Sequence, residues 1–162
     1  LYGGFMATSK GVKLIEYNAR FGDPEAMNVL SLLESDFIEI CKNITIGDLK
    51  SSDVSFAKKA TVCKYAVPKG YPDKPVKGHP INVSNVNNLD LLFYASVDIH
   101  DGQLIQAGSR TIAVVGLADS ISDAQAIAEK EIVLVDGPLF HRKDIGTDPI
   151  IQKRIDHMQS LR

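Results

Sequence analysis

The segment from Val12 to Glu25 restricts the fold more than any other stretch of this chain. Residues 12–18 alternate in the manner of a strand, with Val12, Leu14, Glu16 and Asn18 directed to one side and Lys13, Ile15 and Tyr17 to the other. The strand must stop at Phe21-Gly22, because Asp23-Pro24-Glu25 carries the signals of a helix start. These are an Asp able to accept from first-turn amides, a Pro at the first helical position and an acid in the first turn. Upstream, residues 2–7 read as a second strand, joined to the first by the polar turn Thr8-Ser9-Lys10-Gly11. A hairpin feeding directly into a helix is expected, with Met27, Leu30 and Leu33 as the apolar face of that helix.

A second short helix is expected from Asp36, where Glu39 stands at the spacing of a capping box and Phe37, Ile40, Cys41 and Ile44 form a buried stripe. Residues 47–55 are polar and turn-rich, which places a domain boundary there. Beyond it the pattern turns to strands. Residues 57–67 make one, and a loop rich in Pro, Gly and Lys runs from Pro68 to Pro80. Residues 91–99 and 103–107 make a hairpin across His100-Asp101-Gly102, and residues 110–117 another strand. Ser120 opens a helix in which Ile121, Ala124, Ile127, Ala128 and Ile132 share a face, and it closes near Gly137-Pro138. From Ile150 the chain has helical spacing at Ile151, Ile155 and Met158. Strands come first and helices later, with hairpin links, so the class is α+β.

With 44% apolar and 23% charged residues, the 162-residue chain has the composition of a globular domain. A formal charge of −2 gives no electrostatic reason to expect nucleic acid or an anionic membrane as partner. No apolar run is long enough to span a bilayer. Cys41 and Cys63 lack metal-ligand spacing and imply no disulfide framework, which points to a reducing, cytoplasmic setting. His79, His100, His141 and His157 are likewise not spaced as ligands, and each reads as a surface or hydrogen-bonded histidine.

Chemistry enters with Glu16, Asn18 and Arg20, which alternate and so are expected on one face of the strand. Same-face neighbours lie roughly 7 Å apart at strand rise. A carboxylate and an amide oxygen so placed can grip a hard cation together with phosphate oxygens, as magnesium requires. An arginine two residues on can neutralise charge on a transferred phosphoryl group. Taken alone, three polar residues on a strand face describe a solvated surface equally well.

The longer run decides between these readings. Ile15-Glu16-Tyr17-Asn18-Ala19-Arg20-Phe21-Gly22-Asp23-Pro24-Glu25 resembles the signature of the glycinamide ribonucleotide synthetase (phosphoribosylamine–glycine ligase) family of ATP-grasp enzymes. Four later segments agree with it in order: Lys69 to Pro72, Lys77 to Ile81, Gly108-Ser109-Arg110, and Arg142 to Gly146. The resemblance implies that residues 1–50 finish an ATP-grasp core and that 51–162 form the C-terminal domain. It implies ATP-dependent activation of the glycine carboxylate as an acyl phosphate, attacked by the amine of phosphoribosylamine, in purine biosynthesis. Glu16 and Asn18 would ligate Mg2+ (or Mn2+), Arg20 would contact phosphate, and Asp23 would sit at the substrate end of the cleft while capping its helix. Arg110, which follows two small residues at a strand start, and Arg142 would take the ribose phosphate. The glycine-rich lid and the ATP-binding lysines would lie upstream of Leu1, so this chain alone is expected to be inactive.

The chain departs from the family pattern at Gly108-Ser109-Arg110-Thr111-Ile112-Ala113, where a second glycine and V-L-G are usual, and at Tyr94-Ala95-Ser96-Val97-Asp98. The E-x-N-x-R spacing alone also suits another ATP-grasp carboxylate–amine ligase, a carboxylase of biotin carboxylase type, or a non-catalytic module that keeps the fold. Phe21-Gly22-Asp23-Pro24-Glu25 favours the glycine ligase.

Overall fold

The computed structural model describes residues 1–161. Strands β1 (Tyr2–Thr8) and β2 (Gly11–Asn18) form an antiparallel hairpin. Gly4 pairs with Glu16 but Phe5 pairs with Leu14, so Ile15 is left over as a bulge in β2. That one residue reverses the alternation on either side of it. Val12 and Leu14 share the face of their partners Ala7 and Phe5, and Phe5 meets Tyr17 edge-on at 6.0 Å. Glu16 and Asn18 share the opposite face with their partners Gly4 and Tyr2. Val12 and Leu14 therefore do not lie on the side of Glu16 and Asn18, as unbroken alternation predicts. The bulge separates an apolar face from a polar one.

Helix α1 (Glu25–Leu30) follows, and Asp23 does not cap it. The amide of Ala26 donates to the Gly22 carbonyl at 2.9 Å and that of Met27 to the Pro24 carbonyl at 3.0 Å, leaving those donors satisfied without a side chain. Helix α2 (Phe37–Ile46) is capped as expected, the Asp36 carboxylate accepting from Ile38 N at 2.8 Å and Glu39 N at 3.1 Å. Glu39 pairs with Lys42 rather than closing a capping box. The α2 stripe is not buried: Phe37 and Ile44 are exposed and Ile40 and Cys41 half-buried, because no other described element covers it.

The remaining strands are β3 (Ala60–Pro68), β4 (Pro80–Ile81), β5 (Leu92–Tyr94), β6 (Val97–His100), β7 (Gln103–Gln106), β8 (Ile112–Ala118) and β9 (Leu139–Phe140). They make a four-stranded sheet in the order β5-β8-β3-β9 and a three-stranded one in the order β4-β7-β6, with antiparallel pairing throughout. The expected single strand 91–99 is divided between the two sheets. Ala95 and Ser96 make the crossover, their amides donating to the carbonyls of Thr111 (3.0 Å) and Arg110 (2.9 Å). The β6–β7 hairpin turns on Asp101 and Gly102, both at positive φ (50° and 78°), the combination that matches strand twist in a two-residue loop.

Helix α3 (Ile121–Ile132) begins at Ser120, whose hydroxyl accepts from Asp123 N at 3.1 Å. Ala124, Ala128 and Ile132 are buried against the sheet, whereas Ile121 and Ile127 stay largely exposed. Helix and sheet approach closely at Gly116, where a Cβ would lie 1.8 Å from the Ala124 carbonyl oxygen. Even-numbered residues of β3 face α3: Val62 packs on Ala124 and Ala128, Ala66 lies in the main core, and Lys64 reaches Glu129. Odd-numbered residues face the other way and line a cavity. Helix α4 (Asp148–Ser160) buries no residue, and Ile155 and Met158 are each 43% exposed.

Candidate functional site

Cys63, Tyr65 and Val67, the odd-numbered face of β3, form the floor of a cavity of about 650 Å³. Tyr71, Pro72, Phe140 and Ile145 add apolar wall, and Asp23, Arg110 and Arg142 supply its charge. Three residues expected at a substrate site thus come from three distant segments to one place. Asp23 is delivered by the turn after Phe21-Gly22. Arg110 stands just before β8, its carbonyl fixed by Ser96. Arg142 follows β9, which is held to β3 by pairing of Phe140 with Val67.

The polar groups at the mouth are already matched. Arg110 Nη1 lies 3.3 Å from Asp23 Oδ2 and donates to the Asp23 carbonyl at 3.2 Å, while its guanidinium stands 5.5 Å from the Tyr65 ring centroid. Tyr65 donates its hydroxyl to Asp23 Oδ1 at 2.8 Å. Burial first, then this bond and the Asp23 charge, raise the Tyr65 phenol far above its ordinary range, so it remains a donor at neutral pH. Burial also pushes the Cys63 thiol up to about 12, with Asp23 and Glu25 adding to the effect; Cys63 is a wall residue rather than a nucleophile. Arg142 makes a two-pronged pair with Asp144, at 3.0 and 2.6 Å.

Glu16, Asn18 and Arg20 are absent from this cavity's lining. Glu16 is exposed and Asn18 half-buried on the polar face of the hairpin. Tyr2 stands on that face too, and its hydroxyl donates to Glu25 Oε1 at 3.1 Å. Bonding to Glu25, helped by burial and by the charges of Glu25 and Glu16, raises the Tyr2 phenol above its ordinary range. Arg20 does not continue the row: β2 ends at Asn18, and the guanidinium donates to the adjoining Phe21 carbonyl at 2.7 Å. Among the described residues no group of three or more His, Cys, Asp or Glu side chains is arranged to hold a metal ion. Glu16 and Asn18 offer two hard oxygens on one open face, which fits a magnesium ion whose other ligands are phosphate oxygens and water.

Sequence reasoning overlooked Tyr65, although the alternation along 61–67 already puts Cys63, Tyr65 and Val67 on one face. It also overlooked the wall's support. Lys64, with its side chain fully buried, donates to Glu129 Oε2 at 2.6 Å and to the Lys143 carbonyl at 2.9 Å. His141 Nε2 lies 3.0 Å from Glu129 Oε1, so His141 is indeed a hydrogen-bonded histidine. Together these bonds tie the segment that carries Arg142 to β3 and α3. The signal was a single lysine on a strand face otherwise made of Val62 and Ala66.

An apolar cavity with a few convergent charges, on an α+β scaffold, is the architecture of a small-ligand-binding domain. The model of the family "Phosphoribosylglycinamide synthetase, C domain" matches residues 61–148, and the chain belongs to that family. All of the chain aligns with phosphoribosylamine–glycine ligases of Methanocaldococcus jannaschii (53% identity) and Methanosarcina barkeri (52%), covering 37% of each. It is also similar to the crystal structure of the phosphoribosylamine–glycine ligase from Thermotoga maritima, with a TM-score of 0.73 and 28% identity, over 88% of this chain and 36% of that one. The chain therefore spans little more than a third of the length of the curated relatives it matches. Among the described residues, no helix is long and apolar enough to cross a membrane.

Proposed function

We propose that the polypeptide containing this chain joins glycine to 5-phosphoribosylamine at the expense of ATP, giving glycinamide ribonucleotide, ADP and phosphate in the cytoplasm. The observation that carries the reading is the meeting of Asp23, Arg110 and Arg142 around one cavity. Phosphoribosylamine bears an amine and a phosphate, and the cavity presents a carboxylate and two guanidiniums. Arg110 and Arg142 receive the phosphate, exchanging carboxylate partners for a dianion. Asp23 accepts a hydrogen bond from the amine and orients it for attack. In this reading residues 1–50 close an ATP-grasp core and residues 51–162 form the substrate-binding domain, which the family match over 61–148 supports.

Glu16 and Asn18 are the residues that would hold Mg2+ or Mn2+; when bound, the ion supplies charge neutralisation at the phosphates of ATP. Arg20, exposed and held by one bond to its neighbour's carbonyl, is free to turn toward a phosphoryl oxygen. The test is ADP release by the complete polypeptide, measured with glycine and freshly made phosphoribosylamine supplied together and singly. Turnover is expected only with both substrates, and Glu16→Gln should raise the magnesium concentration needed for half-maximal rate by about tenfold or more. ADP release independent of either substrate, or a Glu16→Gln enzyme with an unchanged magnesium requirement, would refute the assignment.

A further inference from the structure

We propose that Tyr65 is a positioning residue of this site, its hydroxyl and ring together holding Asp23 and Arg110 in the arrangement that substrate meets. The inference rests on the ligase reading above and adds a residue to it. Asp23 and Arg110 have side chains 53% and 38% exposed. An ion pair that open to water contributes little and leaves both side chains free to rotate. Their backbones belong to different parts of the molecule, one to the turn after the β1–β2 hairpin and the other to the strand junction before β8.

Tyr65 bridges that gap from the most constrained place available. It lies in the middle of β3 and pairs with Ala113 of β8. Its hydroxyl meets Asp23 at 2.8 Å and its ring supports Arg110 at 5.5 Å. One rigid side chain with two torsions therefore sets the direction of a flexible acid and a flexible base at once. The Tyr65 hydroxyl occupies Oδ1 of Asp23 and leaves Oδ2 directed at Arg110, where it is available to an incoming amine. Loss of the hydroxyl would let Asp23 swing onto Arg110 alone, and substrate would then have to break a relaxed ion pair.

The experiment is a double-mutant cycle in the complete polypeptide, combining Tyr65→Phe with Asp23→Asn. Tyr65→Phe keeps the ring and the cavity wall. It should lower kcat/KM for phosphoribosylamine by about tenfold, the scale of one hydrogen bond to a charged group, and leave the KM for ATP within about twofold. In the Asp23→Asn background the same substitution should cost almost nothing further, because its effect passes through the carboxylate. Calorimetric titration with ribose 5-phosphate reads the Arg110 side without turnover, and Tyr65→Leu should weaken that binding more than Tyr65→Phe. Wild-type turnover with Tyr65→Phe indistinguishable from it overturns the proposal. So do effects that multiply in the cycle, equal losses for ATP and phosphoribosylamine, or ribose 5-phosphate titrations that Tyr65→Leu leaves unchanged. A wild-type enzyme without glycine-dependent ADP release overturns the ligase reading instead, and the titration then decides the role of Tyr65 alone.

Discussion

Removing the carboxylate of Glu129 should damage this fold more than removing the buried cation it faces. Lys64 has no exposed side-chain surface, and its ammonium has two partners, Glu129 and the Lys143 carbonyl. Glu129→Ala leaves that ammonium dry with a single neutral acceptor, and breaking a buried pair from one side costs about 3–5 kcal/mol. Lys64→Met replaces the cation by an apolar chain of similar length. Glu129 then keeps His141 at 3.0 Å and its 27% exposure, and the remaining loss is one orphaned carbonyl, about 1–2 kcal/mol. With a urea m-value of about 2 kcal/mol/M, the expected midpoint shifts are about 1.5–2.5 M for Glu129→Ala and below about 1 M for Lys64→Met. Urea unfolding of the chain followed by circular dichroism measures both. The double variant should recover most of the Glu129→Ala loss, because no buried charge is left. A Lys64→Met loss as large as that of Glu129→Ala, or additive losses in the double variant, would show that Lys64 is solvated and refute the reasoning.

Gly116→Ala should lower stability by about 3 kcal/mol or more, since its Cβ would meet backbone of α3 at 1.8 Å and only retreat of the helix from β8 makes room; the urea midpoint reports it. Acid should destabilise the fold through two carboxylates. Burial is the largest influence on Glu129 and Glu131 and opposes ionisation, yet bonds from Lys64 and His141 in the first case, and from Asn87 and Asn88 in the second, hold both below their ordinary 4.5. A depressed carboxyl contributes fully above its unfolded value, and its contribution is lost as pH falls through the folded one. Stability should therefore be flat near neutrality and drop below about pH 4.5, and Glu131→Gln should flatten that acid limb in unfolding curves taken from pH 7 to 3.

Local order was legible wherever a short run of residues decides it. The β1–β2 hairpin, the cap at Asp36 and the start of α3 at Ser120 all follow from neighbours within four positions. What failed depended on partners further away. Nothing near Asp23 says that Tyr65 and Arg110 share its carboxylate, so the rule for helix starts assigned it to a cap. Ile15 looks regular until its pairing with β1 is known, and the bulge then sorts the hairpin's faces. The stretch 91–99 has strand character throughout, but only the positions of β7 and β8 divide it. The α2 stripe has correct spacing and stays open, because spacing describes a face and not the surface that covers it. For the site, the family resemblance brought forward Asp23, Arg110 and Arg142, and all three line one cavity. Arg20 was misplaced because a strand was extrapolated two residues past its end.

The crossover at Ala95-Ser96 bears on where this molecule can accept change. Its two amides are spent on Thr111 and Arg110, Ala107 donates back to Ser96 at 2.9 Å, and a Cβ at Gly108 would collide with Ser96. The two sheets are thus stitched together at the very point from which Arg110 departs. An extra residue in this link would shift β5 against β8 or β6 against β7, and either slip would carry the arginine away from Tyr65 and Asp23. The hairpin tip at Asp101-Gly102 lies outside that seam and can lengthen without consequence for it. Variation in length among related chains should gather at that tip and leave the 94–97 and 107–111 segments constant in length, even where their side chains differ.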